Sequence, residues 1–371
     1  MKLMITSVGS LVGQNILDVL ESPLCNRRQL VKIIGTNSIS INPQNFRCDV
    51  AYQVPKTNDA SFEGRLLEIV RKECPDVILS GRDEDTEKVA KIILAHSELS
   101  VKLPYGNLDT VCAALKKDLS WDFCQKHDLP FAASYVIGRD GGLDELKDFI
   151  GEFGYPLISK PIEGFASKGV FYVRDWKDAE FLSHYEGYMF QEYLGDGDVL
   201  EDYFRMMDGP PPLFMSSPGI FHHSCHTVMR PDGTYDPFFI SRNEHDNGVT
   251  VGFRRVSHSE LESLANRYAE AVIADGGFGP MTVQFRQNKR GDWKAQEMNM
   301  RTNGNTYPRF MMGQDDLGLI VDYLFPEMSF PIYRAPEATQ LNIVGKTLTS
   351  YMMMPSQMDA LKNDGRWDPS K

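Results

Sequence analysis

The sequence lacks the marks of several protein classes. It has no CxxC pair, because its six cysteines are scattered singly along 371 residues, and this favours reduced thiols over a disulfide framework. No apolar stretch reaches the roughly 18 residues of a membrane-spanning helix. The first segment, Met1–Gly9, is too short, and too soon becomes rich in glycine and serine, for the apolar part of a secretory signal. We therefore expect a cytoplasmic protein without contact to a membrane.

Basic clusters are missing as well. The chain carries 39 Lys and Arg against 51 Asp and Glu, a formal net charge of −12. Nucleic-acid-binding domains usually carry a basic patch, so we expect small-molecule partners instead. An anionic ligand would have to be bound by a few local cations or backbone amides.

The length predicts at least two folded domains, because single hydrophobic cores stop growing at roughly 250 to 300 residues. In the first hundred residues, short apolar runs such as Leu3–Val8 and Val77–Ser80 alternate with amphipathic stretches such as Phe62–Lys72. This alternation predicts a parallel, doubly wound sheet. The glycine turn Gly9–Gly13 lacks the GxGxxG spacing of a dinucleotide-binding fingerprint, which argues against a dehydrogenase.

Residues 281–301 carry the strongest chemical signal. Two strand-like segments, 281–286 and 297–301, flank the turn 288–292 and predict a β-hairpin. Because side chains alternate between the faces of a strand, Met298 and Met300 are predicted to enter the core.

The opposite face of this hairpin would carry Glu297, Asn299 and Arg301, with Gln284 beside them on the partner strand. An oxygen-rich cluster with one carboxylate suits Mg²⁺, which keeps waters and takes further ligands from phosphates. The alternative is a solvated face with an incidental Glu-Arg pair.

Two further segments could bind a nucleotide. A predicted strand ends at Lys160 and is followed by the small-residue loop Gly164–Gly169, a combination that can bind phosphate oxygens. The segment Phe190–Asp198 is a strand that runs into an acidic glycine loop and could contact adenine and ribose. Ordinary turns are the alternative in both cases.

Taken in order, Lys117, Lys160, the Gly164–Gly169 loop, the hinge at Glu192 and the hairpin at Glu297 resemble the ATP-grasp superfamily. The similarity covers nearly the whole chain. It is closest to the ligase unit of the carbamoyl-phosphate synthase large subunit and its biosynthetic relatives, whose E-M-N-P-R motif is similar to Glu297-Met298-Asn299-Met300-Arg301.

The resemblance implies a mixed α/β and α+β architecture. A Rossmann-like pre-ATP-grasp domain would occupy residues 1–105, and a split ATP-grasp domain would occupy 106–187 and 188–330. Residues 331–371 would form a C-terminal extension, whose polar segment Lys362–Arg366 we expect to be frayed.

The resemblance also implies site residues. Those in contact with ATP would be Lys117, Lys160, Gly164, Ser167, Lys168, Gly169, Glu192, Tyr193, Leu194 and Asp198. Mg²⁺ would be bound by Gln284, Glu297 and Asn299. Arg301 and Lys160 would be catalytic at the transferred phosphoryl group. Substrate contacts are predicted at Arg254, Arg255 and Asn303.

Some assignments stay open. Lys116 adjoins Lys117 and competes for the ATP contact, although Phe123 stands at the spacing that favours Lys117. Asp196 competes with Asp198 for the ribose. Either arginine at 254–255 could bind a substrate carboxylate or simply be a solvated strand residue.

The implied activity is ATP-dependent ligation of a carboxylate to an amine through an acyl phosphate, with release of ADP and phosphate. ATP and Mg²⁺ would be required, with two metal ions for which Mn²⁺ could substitute, and the protein could be a homodimer. The alternatives are a small-molecule kinase on the same fold and a non-catalytic ATP-binding protein.

Overall fold

The protein is described by a computed structural model that covers residues 1–164, 168–195, 200, 203–205, 221–246, 249–336, 342–347 and 351–369. Three β-sheets organise these residues. Within the same ranges, no helix combines the length and apolar character needed to cross a bilayer.

The N-terminal sheet contains four parallel strands in the order β3-β2-β1-β4. The strands are β1 (Lys2–Ile5), β2 (Lys32–Asn37), β3 (Val50–Gln53) and β4 (Val77–Leu79), and the helices are α1 (Leu11–Glu21), α2 (Phe62–Glu73) and α3 (Asp83–Ala95). Short 3-10 turns lie at Arg28–Leu30, Pro43–Arg47 and Ser97–Leu99. The predicted parallel sheet is confirmed.

The first turn of α1 requires a glycine at position 13. A Cβ atom on Gly13 would lie 2.4 Å from the carbonyl oxygen of Val8, which is closer than any side chain allows. The Ser10 side chain caps the helix by accepting a hydrogen bond from the Gly13 amide, at 3.0 Å. The glycine turn therefore serves the tight passage from strand to helix.

A second, four-stranded sheet follows, with antiparallel strands in the order β5-β8-β6-β7. Its strands are β5 (Ser134–Tyr135), β6 (Leu157–Pro161), β7 (Phe171–Val173) and β8 (Tyr188–Glu192). The helices α6 (Leu143–Phe153) and α7 (Trp176–Leu182) pack on this sheet, whereas the preceding helices α4 (Leu108–Leu115) and α5 (Lys117–Lys126) pack in a different core, that of the sheet described next. Leu146 and Leu157 are fully buried between this sheet and its helices.

The largest sheet has six strands in the order β13-β12-β9-β10-β11-β14. They are β9 (His222–Met229), β10 (Phe239–Asp246), β11 (Val249–Arg255), β12 (Gly279–Gln287), β13 (Trp293–Asn299) and β14 (Ile343–Gly345). The helices are α8 (Ser259–Ala274), α9 (Thr306–Met311) and α10 (Asp316–Leu324). Met281, Val283 and Phe285 pack with α8 in one core, which leaves the opposite face of the sheet for polar side chains.

The C-terminal segment returns to the N-terminal sheet. Helix α11 (Pro355–Asn363) leads into β15 (Arg366–Trp367), which pairs antiparallel with β3. The Trp367 ring lies edge-on to Phe46, with ring centroids 5.2 Å apart. The expectation of a frayed Lys362–Arg366 segment is therefore wrong, because this segment joins the end of helix α11 to the paired strand β15.

A buried ion pair ties the N-terminal sheet to the later part of the chain. Arg27 Nη1 donates to Asp315 Oδ1 at 2.8 Å, and both side chains have no solvent exposure. The guanidinium also lies over the rings of Phe310 and Phe330, with its carbon 5.4 and 5.1 Å from their centroids. Asp315 additionally caps α10 by accepting from the amide of Gly318.

We expect Asp315→Ala to lower the free energy of unfolding by about 3–5 kcal/mol, because the Arg27 charge would stay buried without a partner. The measurement is urea-induced unfolding. Asp144→Ala is the control: its exposed ion pair with Lys147 should contribute less than about 1 kcal/mol. If both substitutions lowered the free energy of unfolding equally, burial of the Arg27–Asp315 pair would not explain its contribution to stability.

Candidate active site

The predicted hairpin positions the oxygen-bearing side chains together. Gln284 lies opposite Glu297, and Thr282 lies opposite Asn299, across strands β12 and β13. Asn299 Nδ2 donates to Glu297 Oε1 at 3.0 Å. Met298 has only 2% exposure, as predicted for the core face.

This set fits a hard cation. It offers one carboxylate and two amide oxygens on neighbouring positions, and Mg²⁺ would complete its coordination with waters and phosphate oxygens. Among the residues that the structure describes, no three His, Cys, Asp or Glu side chains group as a metal site. Gln284, Glu297 and Asn299 are therefore the candidate ligands.

Lys160, near the end of strand β6, meets the hairpin where the four-stranded sheet adjoins the six-stranded one, a region hereafter called the cleft. Its Nζ donates to Gln191 Oε1 at 2.6 Å and to the backbone oxygen of Gln296 at 3.2 Å. The side chain is almost fully buried. Burial, followed by the nearby Lys117, lowers the pKa of Lys160 to about 7, against the opposing effect of Glu297.

The two neighbouring lysines differ in their partners. Lys117 Nζ donates to the backbone oxygens of Ile162 and Gly164, both at 3.2 Å, so it lies at the start of the small-residue loop. Lys116 instead forms ion pairs with Glu87 and Glu163. This geometry favours Lys117 for the predicted phosphate contact.

The loop after Lys160 is described at its two ends. Gly164 and Gly169 have φ angles of +155° and +73°, values that a side chain would disfavour. Lys168 and Gly169 are exposed, while Ser167 lies outside the described residues.

The predicted hinge follows strand β8. Tyr193 and Leu194 are buried at the end of this strand. Glu192 accepts an ion pair from Lys294 Nζ at 2.6 Å, so its carboxylate is engaged within the protein. Asp196 and Asp198 lie outside the described residues, and the ribose contact stays a prediction.

Arg301 faces the N-terminal sheet. Its guanidinium forms a two-bond ion pair with Asp83, the first residue of α3, with Nη2 to Oδ2 at 2.8 Å. This contact joins the hairpin motif to the N-terminal unit. The predicted contact of Arg301 with the transferred phosphoryl group would require the guanidinium to bind both Asp83 and substrate.

The structure does not bring the three predicted substrate residues together. Arg255 lies in one register row with Ser241, Ser224 and Gln284, and thus on the cleft face of the sheet. Arg254 lies on the opposite face, and both arginines are exposed.

Asn303, the third of these residues, belongs to a polar network beneath the metal-ligand set. Its Nδ2 donates to Thr282 Oγ1 at 2.9 Å, and its Oδ1 accepts from Arg309 at 3.0 Å. Asp316 accepts from Arg309 and from His226 in turn. The contacts of Asn303 therefore support the hairpin strand.

Two cations of the cleft region were not predicted. Arg286 follows Gln284 by two residues on the same face of β12, so the strand alternation could have revealed it. Lys346 Nζ donates to the Gly304 backbone and to Asn305 Oδ1, and burial lowers its pKa to about 8. It directly follows strand β14, which is too short to show periodicity.

Solved structures share this architecture, although no protein-family profile and no curated protein matches the sequence. N5-carboxyaminoimidazole synthetase from Staphylococcus aureus, complexed with ADP, has 14% identity and a TM-score of 0.64, over 87% of this chain and 77% of that chain. The ATP complex of biotin carboxylase from Campylobacter jejuni has the same identity and TM-score, over 87% and 70%.

The biotin carboxylase domain dimer of Hydrogenobacter thermophilus 2-oxoglutarate carboxylase, with MgADP and bicarbonate, has 12% identity and a TM-score of 0.63, over 87% and 69%. At such identities the similarity concerns the fold. It agrees with the order of sequence motifs from Lys117 to Arg301. The chain has the ATP-grasp fold.

Proposed function

We propose that the protein is an Mg²⁺-dependent, ADP-forming ligase that joins a carboxylate to an amine through an acyl phosphate. One observation carries the proposal: Lys160 Nζ hydrogen-bonds to the backbone of Gln296, the residue before Glu297. A cation suited to phosphate oxygens thus lies directly beside a set of oxygen ligands suited to Mg²⁺.

The chemistry follows from the poor reactivity of a carboxylate, whose leaving group would be oxide. Phosphorylation supplies a better leaving group, so the protein mainly has to position the reactants and neutralise charge. Bound Mg²⁺ would neutralise phosphate oxygens. Glu297, Asn299 and Gln284 would hold the ion, and Lys160 would bind a phosphate oxygen from the opposite side.

The remaining assignments belong to the same proposal. Lys117, Lys168 and the loop ends Gly164 and Gly169 would surround the phosphates, while Tyr193 and Leu194 would contact adenine. We propose two metal ions, with Mn²⁺ as a substitute. A homodimer is proposed by analogy with the carboxylase domain dimer, and a reducing cytoplasm is consistent with six free cysteines.

Removal of the metal ligands should stop turnover without unfolding the protein. We expect Glu297→Gln and Asn299→Ala each to lower ADP formation in Mg²⁺ at least about a hundredfold, a typical scale for lost charge stabilisation. Glu270→Gln, which changes an exposed carboxylate on α8, is the matched control. Near-normal ADP formation by both hairpin variants would show that the metal assignment is wrong.

The acyl phosphate should be trapped by hydroxylamine. When the correct acid is supplied from a panel of amino acids and small carboxylic acids, we expect ADP, phosphate and a hydroxamate in equal amounts. All three products should be lost in Glu297→Gln. ADP with a hydroxylamine-inert phosphate ester would indicate a kinase, and AMP with pyrophosphate would indicate adenylation.

ATP binding should take up a proton above neutral pH. With a pKa of about 7, Lys160 of the free protein is mostly neutral at pH 8, whereas anionic phosphates favour its charged form. We therefore expect uptake of about one proton per ATP at pH 8 and weaker ATP binding as the pH rises further.

The proton uptake is measured by titration calorimetry in buffers with different ionisation enthalpies. Lys160→Arg is the control, because an arginine stays charged throughout this range. Equal proton uptake by wild type and Lys160→Arg would assign the proton to another group, such as the nucleotide itself.

A further inference from the structure

Arg286 occupies a defined place between the metal-ligand set and the hinge. It follows Gln284 by two residues on β12, so the two side chains share a face, about 7 Å apart along the strand. Its partner on β13 is Lys294, whose Nζ binds the carboxylate of Glu192 at 2.6 Å. Of the neighbours of Arg286, Gln284 thus belongs to the metal-ligand set and Lys294 contacts the hinge.

The guanidinium of Arg286 has no counter-charge among the residues that the structure describes. Its Nε atom is buried without a hydrogen-bond partner. The groups that stabilise its charge are two tyrosine hydroxyls, of Tyr193 and Tyr172, and they do not offset the burial that lowers its pKa. Arg286 is only partly exposed, and a desolvated cation without a counter-charge destabilises a folded protein, so a ligand that supplies the missing charge would be favoured.

Other groups of the cleft respond to this charge. Arg286 contributes to the lowered pKa values of Lys160 and His245, which places the three side chains within electrostatic reach of one another. Glu297 is the carboxylate that opposes these effects in both cases. Among the described residues, Lys160, Lys117 and Arg286 thus lie around the carboxylate of Glu297, in a protein whose net charge is −12.

We propose that Arg286 binds the α-phosphate of the nucleotide. The inference rests on the proposed function, in which adenine lies at the hinge and Mg²⁺ binds the terminal phosphates. The α-phosphate then lies between them, at the position of Arg286. A guanidinium can donate two parallel hydrogen bonds to phosphate oxygens, whereas a lysine acts as a point charge.

The test compares nucleotide affinities of Arg286→Met, which keeps the length of the side chain and removes its charge. We expect the Kd values of ATP, ADP and AMP to rise by about tenfold to a hundredfold, the usual effect of losing a charged hydrogen bond. The Kd of adenosine, which lacks phosphate, should change by less than about threefold. Arg290→Met, at an exposed position of the same hairpin, should leave all four values unchanged.

A second measurement separates ligand binding from a structural role. Without nucleotide, Arg286→Met should melt at a higher temperature than wild type, because it removes a partly buried charge that has no counter-charge among the described residues. A lower melting temperature together with unchanged Kd values would overturn the proposal. An equal loss of adenosine affinity would overturn the phosphate contact.

Failure of the underlying function gives a different result. If wild type binds none of the four ligands in Mg²⁺, the nucleotide site itself is refuted. If wild type binds ATP and Arg286→Met binds it equally well, only the role of Arg286 is refuted.

Discussion

The alternation of side chains along strands β12 and β13 is the constraint on which the site depends. Met298 and Phe285 fill the core beneath α8, and this fixes Glu297 and Gln284 on the cleft face. A shift of one residue in strand register would turn Glu297 and Gln284 towards the core and Met298 and Phe285 towards the opposite face. The irregularity in pairing between Gln284 and Phe285 leaves Gln296 as the extra residue, and the carbonyl of this residue binds Lys160.

The second determinant of the site is a group of positively charged side chains that are partly buried. Lys117 and Arg286 both lower the pKa of Lys160, and Lys346 is partly buried nearby with a pKa of about 8. The desolvated charges of Lys160 and Lys346 cost stability in the free protein. A bound polyphosphate supplies the opposite charge, so the residues that destabilise the free protein stabilise its complex with a nucleotide.

The sequence was most informative where structure arises from local pattern. The parallel N-terminal sheet follows from alternating apolar runs, and the hairpin follows from strand alternation around the turn 288–292. Lys160 and Lys117 were identified by resemblance. The structure places Lys117 at the start of the small-residue loop and Lys160 beside the hairpin.

Contacts between distant segments could not be predicted in this way. Asp83, the partner of Arg301, is 218 residues away in sequence, and no local pattern encodes that pair. The strands β14 and β15, with three and two residues, are too short for a periodic signal, so they were missed. Arg286 was accessible to the alternation argument, but the motif resemblance assigns no role to it.

The return of the chain to its first sheet has a consequence for biosynthesis. Strand β3 lies at the edge of the parallel sheet until β15 pairs with it, and β15 leaves the ribosome more than 300 residues later, since Arg366 and Tyr52 are 314 positions apart. Throughout that interval the nascent sheet exposes unpaired backbone groups, which can pair with another chain. Association with chaperones during translation would protect this edge until β15 pairs with it.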